Sequence, residues 1–172
     1  GSVGRGVAEA ARAYGGAVTV CERDPGRRLE ASFAGWHVGE LFEELERADV
    51  VVTATGATSV IAEEHFAALK DGAFLLNVGH RTEEIAPDAF DGWRREDCLP
   101  AVSAYVRGGR TCYLFAGGAM ANLSAGQGDS VNAFDRTLAI LTEAVRFLVN
   151  QGSDYPPGLH VLPPPVWQQA AG

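Results

Sequence analysis

Short apolar runs alternate with amphipathic segments along the first 80 residues of the chain. Residues 49–53 contain Val50-Val51-Val52, an apolar run typical of a parallel strand that is covered on both faces. The predicted strands of this region are 17–21, 35–38, 49–53 and 73–78, and the predicted helices are 3–14, 24–33, 40–48 and 62–69. This alternation predicts an α/β fold, a doubly wound Rossmann-type parallel sheet with helices on both faces.

After Gly79 the alternation stops. A polar, irregular stretch comes first, and two strands joined by Gly108-Gly109 follow it, which is a hairpin signal. A loop of small residues and one long amphipathic helix come next. These segments are predicted at 81–97 with a short helix near 87–93, at 101–107 and 111–115, at 117–128, and at 131–150.

Two parts are predicted along the chain. The first is the α/β domain over 1–151, and the second is an extended, proline-rich hinge or tail over 152–172. The last helix of the first part carries an apolar face, which predicts association with another copy of the chain or with another domain. This face consists of Phe134, Leu138, Leu141, Val145 and Leu148.

Glycines at the start of the chain and an acidic residue after the first apolar run are the strongest functional signal. Gly1, Gly4 and Gly6 lead into the first predicted helix, and Glu22 follows residues 17–21. Such a loop places a pyrophosphate at a helix N-terminus, and the acid accepts hydrogen bonds from a ribose diol. The fingerprint has a strand before its glycines, so we expect the first strand of the sheet to come from elsewhere. A tight turn with a surface carboxylate, or a Gly-Ser cloning scar, is the alternative.

Polar and small residues also follow two buried strands and the later hairpin. Thr55 and Gly56 follow the strand predicted at 49–53, and Asn77 and His80 lie at the end of the strand predicted at 73–78. Ligands bind at the carboxyl ends of strands in open α/β sheets, so both positions are candidate sites. Asn122 lies in the loop of small residues, where its amide can pair with a carboxamide. An ordinary polar loop and a capping histidine are the alternatives.

Composition excludes several classes of function. The 172 residues carry a formal net charge of −8, which argues against nucleic acid or an anionic membrane as a partner. Cys21, Cys98 and Cys112 lie far apart in no metal-binding or disulfide pattern, which predicts a chain without bound metal in a reducing cytosol. No apolar stretch approaches the roughly 20 residues that span a bilayer.

Taken in order, these segments resemble the NAD-binding domain of the S-adenosylhomocysteine hydrolase family, and the resemblance covers nearly the whole chain. Asn77-Val78-Gly79-His80 and the segment from Tyr155 to Pro163 carry it most specifically. The other matching segments are Gly1 to Gly6, Cys21 to Pro25, Thr53 to Gly56, Glu83-Glu84-Ile85 and Ala121-Asn122-Leu123.

The resemblance implies tightly bound NAD and a nucleoside-type small-molecule substrate. In the family the 3′-hydroxyl is oxidised, homocysteine is eliminated, water adds, and the ketone is reduced again. By position, Ser2, Val3, Gly4, Arg5 and Gly6 would hold the pyrophosphate; Glu22 and Arg27 would lie at the adenosine ribose; and Thr55, Gly56, Val78, Gly79, His80 and Asn122 would complete the cofactor site. The resemblance assigns no acid–base residue within this sequence, because the family's substrate domain has no counterpart here.

Three positions depart from the family pattern. Arg81 stands where an aromatic residue is usual, Asp129 where a histidine is usual, and Arg27 where an asparagine is usual. Arg81 is suited to an anionic group. An arginine near the ribose can also accept the 2′-phosphate of NADP, but Glu22 would repel that phosphate, so NAD is predicted.

Two other functions fit the same residues. One is a dinucleotide-binding module or partner subunit without catalytic activity. The other is a dehydrogenase of a small hydroxy acid, for which His80 and Asp129 are the one candidate histidine–carboxylate pair.

Overall fold

The computed structural model describes residues 1–128 and 131–171, and it divides the chain into two compact units, Gly1–Gly126 and Gln127–Gly172. The helices of the first unit are α1 Ser2–Ala13, α2 Pro25–Phe33, α3 Leu41–Leu45, α4 Glu63–Phe66 and α5 Ala121–Ser124. Its strands are β1 Thr19–Val20, β2 His37–Val38, β3 Val50–Thr53, β4 Ala73–Asn77, β5 Arg94–Leu99, β6 Val102–Arg107 and β7 Arg110–Phe115. Short 3-10 turns lie at Thr82–Glu84, Pro87–Phe90 and Ala116–Gly118.

Local sequence accounts for the start of α2. Asp24 is the N-cap, and its carboxylate accepts a hydrogen bond of 2.8 Å from the backbone N–H of Arg27. Pro25 follows at the first helical position, where its fixed φ suits the helix and its absent N–H costs nothing. The prediction of a helix that begins at this Asp-Pro pair is confirmed.

The strands form two sheets. One pairs β1 with β2 in parallel, and the other has the order β3-β4-β7-β6-β5. The pairs β3–β4 and β4–β7 are parallel, whereas β7–β6 and β6–β5 are antiparallel. The architecture is therefore α/β, as predicted, and the predicted parallel pairing holds for β3, β4 and β7, whereas β6 and β5 make the sheet mixed. The predicted hairpin over 101–115 is confirmed as β6 and β7, and its antiparallel pairing is the reason the sheet is mixed.

The apolar core lies against the parallel part of this sheet. Leu75, at the centre of β4, is fully buried, and its register partners are Val51 on β3 and Leu114 on β7. Phe66 packs edge-on against Phe90, with 4.6 Å between the ring centroids. The core fixes β3, β4 and β7 side by side, so their carboxyl ends lie at one edge.

Two elements of the first unit were not predicted. β5 is a strand although all six of its residues are exposed, because its backbone pairs with β6. Its sequence, Arg-Arg-Glu-Asp-Cys-Leu, carries no apolar alternation, which is why it was predicted as irregular. The predicted loop of small residues contains α5, a single turn of helix. The helices predicted at 40–48 and 62–69 are shorter, as α3 and α4.

The second unit consists mainly of two helices, α6 Val131–Gln151 and α7 Pro164–Ala171, which contact each other. The predicted long helix is confirmed as α6. The predicted extended tail is corrected at its end, because Pro164 and Pro165 begin α7, and prolines are tolerated in the first turn of a helix. No helix in the described ranges is long and apolar enough to cross a membrane.

Replacing Leu75 with alanine tests the position of the core. The variant Leu75→Ala removes a fully buried side chain and leaves a cavity, so we expect the free energy of unfolding to fall by about 2–5 kcal/mol. Urea unfolding followed by circular dichroism measures this change. The control is Leu99→Ala, whose side chain is 68% exposed and should cost less than about 0.5 kcal/mol. Equal losses in the two variants would contradict the described core.

Candidate functional site

A buried asparagine joins the carboxyl ends of three strands. The side chain of Asn77, the last residue of β4, is fully buried, and its carboxamide makes four hydrogen bonds. Oδ1 accepts from the Thr53 hydroxyl at 3.1 Å and from the Gly79 N–H at 2.7 Å. Nδ2 donates to the carbonyls of Arg81 at 2.7 Å and Gly118 at 3.0 Å. The ends of β3 and β4 and the turn after β7 are thus held together by one side chain.

A buried glutamate holds the loop that follows β3. Glu84 lies in the 3-10 turn Thr82–Glu84 and is fully buried. Its Oε2 accepts from the Thr55 N–H at 2.8 Å and from the Thr55 hydroxyl at 2.9 Å, and its Oε1 accepts from the Gly56 N–H at 2.6 Å. Both oxygens act as acceptors, which is the hydrogen-bonding pattern of a carboxylate.

Two glycines at this edge are required by close packing. A methyl group placed on Gly79 would overlap Oε1 of Glu84. Gly56 has a φ of +72°, which disfavours residues with a side chain, and a methyl group on it would lie 3.0 Å from Cε1 of His80. The imidazole of His80 therefore lies close to the loop after β3, although the two residues are 24 positions apart in a chain of 172 residues.

The first turn of α1 faces the same edge. Gly1 is its N-cap, no side chain caps it, and the turn contains no acidic residue. A methyl group on Gly4 would lie 3.7 Å from Cβ of Ala54, so α1 approaches the end of β3 at this glycine. Helix N-terminal N–H groups with no side-chain partner, next to small residues, suit an anion. This geometry therefore fits the phosphate groups of a dinucleotide.

Glu22 and the N-terminus of α2 form a second group. Oε1 of Glu22 accepts from the backbone N–H groups of Arg23 at 2.8 Å and Asp24 at 3.1 Å, so the carboxylate is oriented by its own loop. Arg28 donates to the Glu22 carbonyl at 3.3 Å and forms an ion pair of 2.8 Å with Glu40. Arg27 is exposed. This corner thus carries both signs of charge, with the guanidinium of Arg28 bonded to the Glu22 backbone and paired with the Glu40 carboxylate.

Most residues predicted for ligand binding are exposed or half-buried at these strand and helix ends. Ser2, Val3, Arg5, Gly6, Arg27, Thr55, His80 and Asn122 are exposed, Gly4, Glu22, Gly56 and Val78 are half-buried, and Gly79 is buried. The contacts above bring Gly4 to the end of β3, and bring Gly56, Gly79 and His80 together around Glu84. Asn122 lies on α5, two residues after Met120, whose backbone is bridged to Asn77. Asp129 lies outside the described residues.

The structure changes the interpretation of two predicted residues and adds one. Asn77 was considered together with His80, but its carboxamide is fully occupied inside the protein. The Thr55 hydroxyl is committed to Glu84, and it also accepts from the Ala57 N–H at 3.1 Å. Glu84 itself was not predicted as a functional residue. In the sequence, Glu84 is marked only by its place in Glu83-Glu84-Ile85, directly before an apolar residue. The structure shows that this isoleucine is buried.

Other polar groups of the first unit lie apart from these residues. A cavity of about 510 Å³ is lined by Arg95, Asp97 and Ser103 together with Leu99, Pro100, Ala101, Val102, Ala116 and Gly117, and it includes no predicted site residue. Hydrogen bonds from Ser103 and Arg95 lower the pKa of Asp97. Burial, and then the carboxylates of Glu44 and Glu40, raise the pKa of Cys21. Burial raises the pKa of Cys112 to about 12. In both cases the raised pKa disfavours the thiolate form, which is the nucleophilic form of cysteine.

No group of three or more His, Cys, Asp or Glu side chains that could hold a metal ion occurs among the described residues. The residues described above instead offer helix N–H groups, the loop-oriented carboxylate of Glu22 and an exposed imidazole. These features suit the binding of a nucleotide more than metal-assisted chemistry.

Comparison with known proteins points to one family. Residues 1–128 match the family model of the S-adenosyl-L-homocysteine hydrolase NAD-binding domain. Over 174 residues the chain is 34% identical to an adenosylhomocysteinase of Thermococcus kodakarensis, a match that covers 99% of this chain and 41% of that protein. It is 35% identical over 180 residues to an adenosylhomocysteinase of Thermotoga maritima, covering 99% of this chain and 43% of that protein. An S-inosyl-L-homocysteine hydrolase of Methanopyrus kandleri is 34% identical over 175 residues, with coverage of 99% and 41%.

NAD is accordingly the cofactor of this domain, as predicted. The uncapped first turn of α1, with glycines at positions 4 and 6, is consistent with that cofactor. The comparisons match the chain to a part of each relative, because the chain spans about two fifths of the length of the curated relatives.

Replacing Asn77 with alanine tests the joint between the strands. Asn77→Ala leaves the Gly79 N–H, the Arg81 and Gly118 carbonyls and the Thr53 hydroxyl without this partner in a buried place, so we expect the free energy of unfolding to fall by about 3–5 kcal/mol. Chemical unfolding measures the change. Asn150→Ala, at an exposed position of α6, is the control and should change stability by less than about 0.5 kcal/mol. A loss below about 1 kcal/mol for Asn77→Ala would contradict its joining role.

Proposed function

Because this chain belongs to the S-adenosyl-L-homocysteine hydrolase family, we propose that it supplies the cofactor half of an enzyme that transiently oxidises a nucleoside 3′-hydroxyl. The substrate is an S-nucleosyl-L-homocysteine. The named relatives include both adenosylhomocysteinases and an S-inosyl-L-homocysteine hydrolase, and a nucleoside thioether is the substrate class that these names share.

The observation that carries this proposal is the uncapped first turn of α1 next to the end of β3. In the proposed complex the pyrophosphate lies against Ser2, Val3, Gly4, Arg5 and Gly6. The N–H groups of this turn donate hydrogen bonds, and the guanidinium of Arg5 adds positive charge. The glycines leave the space that the phosphates need.

The adenosine ribose lies at Glu22 in this proposal. One oxygen of the carboxylate, Oε1, accepts hydrogen bonds from the Arg23 and Asp24 N–H groups. No residue in the described part of the chain donates a hydrogen bond to the other oxygen, Oε2. That oxygen is suited to accept from a ribose hydroxyl. Arg27, exposed at the start of α2, contacts the same sugar or the adenine ring. A 2′-phosphate would lie next to the Glu22 carboxylate, so NAD binds more tightly than NADP.

The nicotinamide end lies at Thr55, Gly56, Val78, Gly79, His80 and Asn122. These residues would hold the nicotinamide, which when bound would supply reversible hydride transfer at the 3′-carbon of the nucleoside. His80 and Asn122 are exposed side chains at this edge and are suited to hydrogen-bond the cofactor. The acid–base groups of the reaction belong, in this proposal, to a part of the enzyme outside these 172 residues.

The fold supports a larger, doubly wound sheet. β1 has a strand partner on one side, β2, and β3 has a partner on one side, β4. If a parallel strand paired with both free edges, the two sheets would become one with the order β2-β1-new strand-β3-β4-β7, which matches the order of dinucleotide-binding sheets. We propose that such a strand completes the fold.

The exposed apolar face of α6 is the surface proposed for association with a further copy or a substrate domain.

Glu22→Ala tests the proposed ribose contact. The variant removes a charged acceptor, so we expect the Kd for NAD to rise about 10- to 100-fold with little change in folding. Isothermal titration calorimetry with NAD and NADP measures both constants, and extraction of nucleotides from the freshly purified chain shows whether NAD co-purifies.

Glu30→Ala is the matched control, because Glu30 is an exposed carboxylate on α2 that is not part of the proposed site. Its Kd for NAD should equal that of the unaltered chain. Tighter binding of NADP than of NAD would overturn the assignment of the ribose contact. A chain that binds NAD but supports no turnover when combined with a substrate domain would favour a non-catalytic dinucleotide-binding module.

A further inference from the structure

Glu84 is buried without a positively charged partner. Among the described residues no Lys, Arg or His side chain forms an ion pair with it. A buried carboxylate is costly unless hydrogen bonds replace its hydration. Here the replacement comes from a single loop, through two backbone N–H groups and one hydroxyl of Thr55 and Gly56. The glutamate side chain and the loop after β3 therefore determine each other's position.

The backbone of Glu84 is fixed independently of its carboxylate. Its carbonyl accepts from the N–H groups of Val60 at 2.8 Å and Ile61 at 3.0 Å, and its own N–H donates to the Arg81 carbonyl at 3.2 Å. Ile85 is bridged to Ile61. We therefore expect a change in the Glu84 side chain to leave the backbone of this segment in place. Such a change would alter the hydrogen-bond acceptors that face Thr55 and Gly56.

The contacts of Glu84 also decide which atoms the loop can offer to a ligand. Both N–H groups and the Thr55 hydroxyl hydrogen point to the buried carboxylate. No described residue donates a hydrogen bond to the carbonyl oxygens of Thr55 and Gly56. The loop can therefore offer acceptors, together with the face of Gly56 that lies beside His80. Acceptors suit ligand hydroxyl and amide N–H groups.

We propose that Glu84 is a positioning residue of the dinucleotide site: its carboxylate takes up the donors of the Thr55-Gly56 loop, so that the loop keeps one shape and turns its carbonyls toward the cofactor. This inference rests on the proposed function for the identity of the ligand. The contact of Gly79 with the same carboxylate extends the effect to the turn that carries His80, because a side chain on Gly79 would displace Glu84.

The test is Glu84→Gln, which preserves the shape of the side chain but replaces one acceptor oxygen with an NH₂ donor. One loop donor then faces another donor in a buried place. We expect amide hydrogen exchange at Thr55 and Gly56 to accelerate at least about 10-fold in the cofactor-free chain, and the Kd for NAD to rise about 10- to 100-fold. NMR and calorimetry measure the two effects.

Glu83→Gln is the matched control, because the Glu83 side chain is exposed one position earlier in the same 3-10 turn. It should leave both the exchange rates and the Kd unchanged. Glu84→Asp keeps the charge but shortens the side chain, so its Kd should fall between those of the unaltered chain and Glu84→Gln. A merely structural role would lower stability without this graded change in NAD affinity.

The outcomes separate this inference from the proposed function. Unchanged exchange in a folded Glu84→Gln chain, or changed exchange with unchanged NAD affinity, would overturn the positioning role and leave NAD binding intact. If the unaltered chain binds no NAD, the proposed function fails, and exchange at Thr55 and Gly56 still reports whether Glu84 holds the loop. If Glu84→Gln does not fold, amide hydrogen exchange in the unaltered chain tests the contact instead. Unprotected amides at Thr55 and Gly56 would then refute the hydrogen bonds to Glu84.

Discussion

The rest of this edge depends on the hydrogen bonding of one buried carboxamide. Asn77 satisfies both lone-pair positions of its oxygen and both N–H groups of its amide with partners from β3, the turn after β4 and the turn after β7. A buried amide that lacks even one of these partners costs free energy, so the ends of the strands must stay in register. Neighbouring parallel strands provide the edge, and the carboxamide determines how their loops leave it.

Buried and exposed polar residues have different tasks here. Asn77 and Glu84 are fully buried and spend their hydrogen-bonding capacity inside the protein. His80, Arg27 and Asn122 are exposed, so their polar groups are accessible to the ligand in the proposed site. Such a division is expected of a binding edge that must be shaped before the ligand arrives, because ordering it upon binding would reduce affinity.

Charged side chains are exposed at several positions of the proposed cofactor site. The guanidinium groups of Arg27 and Arg81 are both exposed, at positions where the family resemblance leads us to expect an asparagine and an aromatic residue. The carboxylate of Glu22, in the loop before α2, is oriented by the backbone N–H groups of Arg23 and Asp24. The proposed preference for NAD over NADP therefore rests on local geometry, since a carboxylate held in this orientation would oppose a second phosphate on the ribose.

The sequence by itself determined the features that arise from local chemistry: the Asp24 cap of α2, the apolar strands β3 and β4, the Gly-Gly hairpin, the long helix α6 and the family. Periodicity and turn residues are local signals, so one sequence is enough to detect them. Tertiary structure alone decided the polar edge strand β5, the burial of Asn77 and the loop contacts of Glu84, which is 28 residues from Gly56. These depend on backbone pairing and desolvation between distant segments, and neither leaves a periodic pattern in the chain.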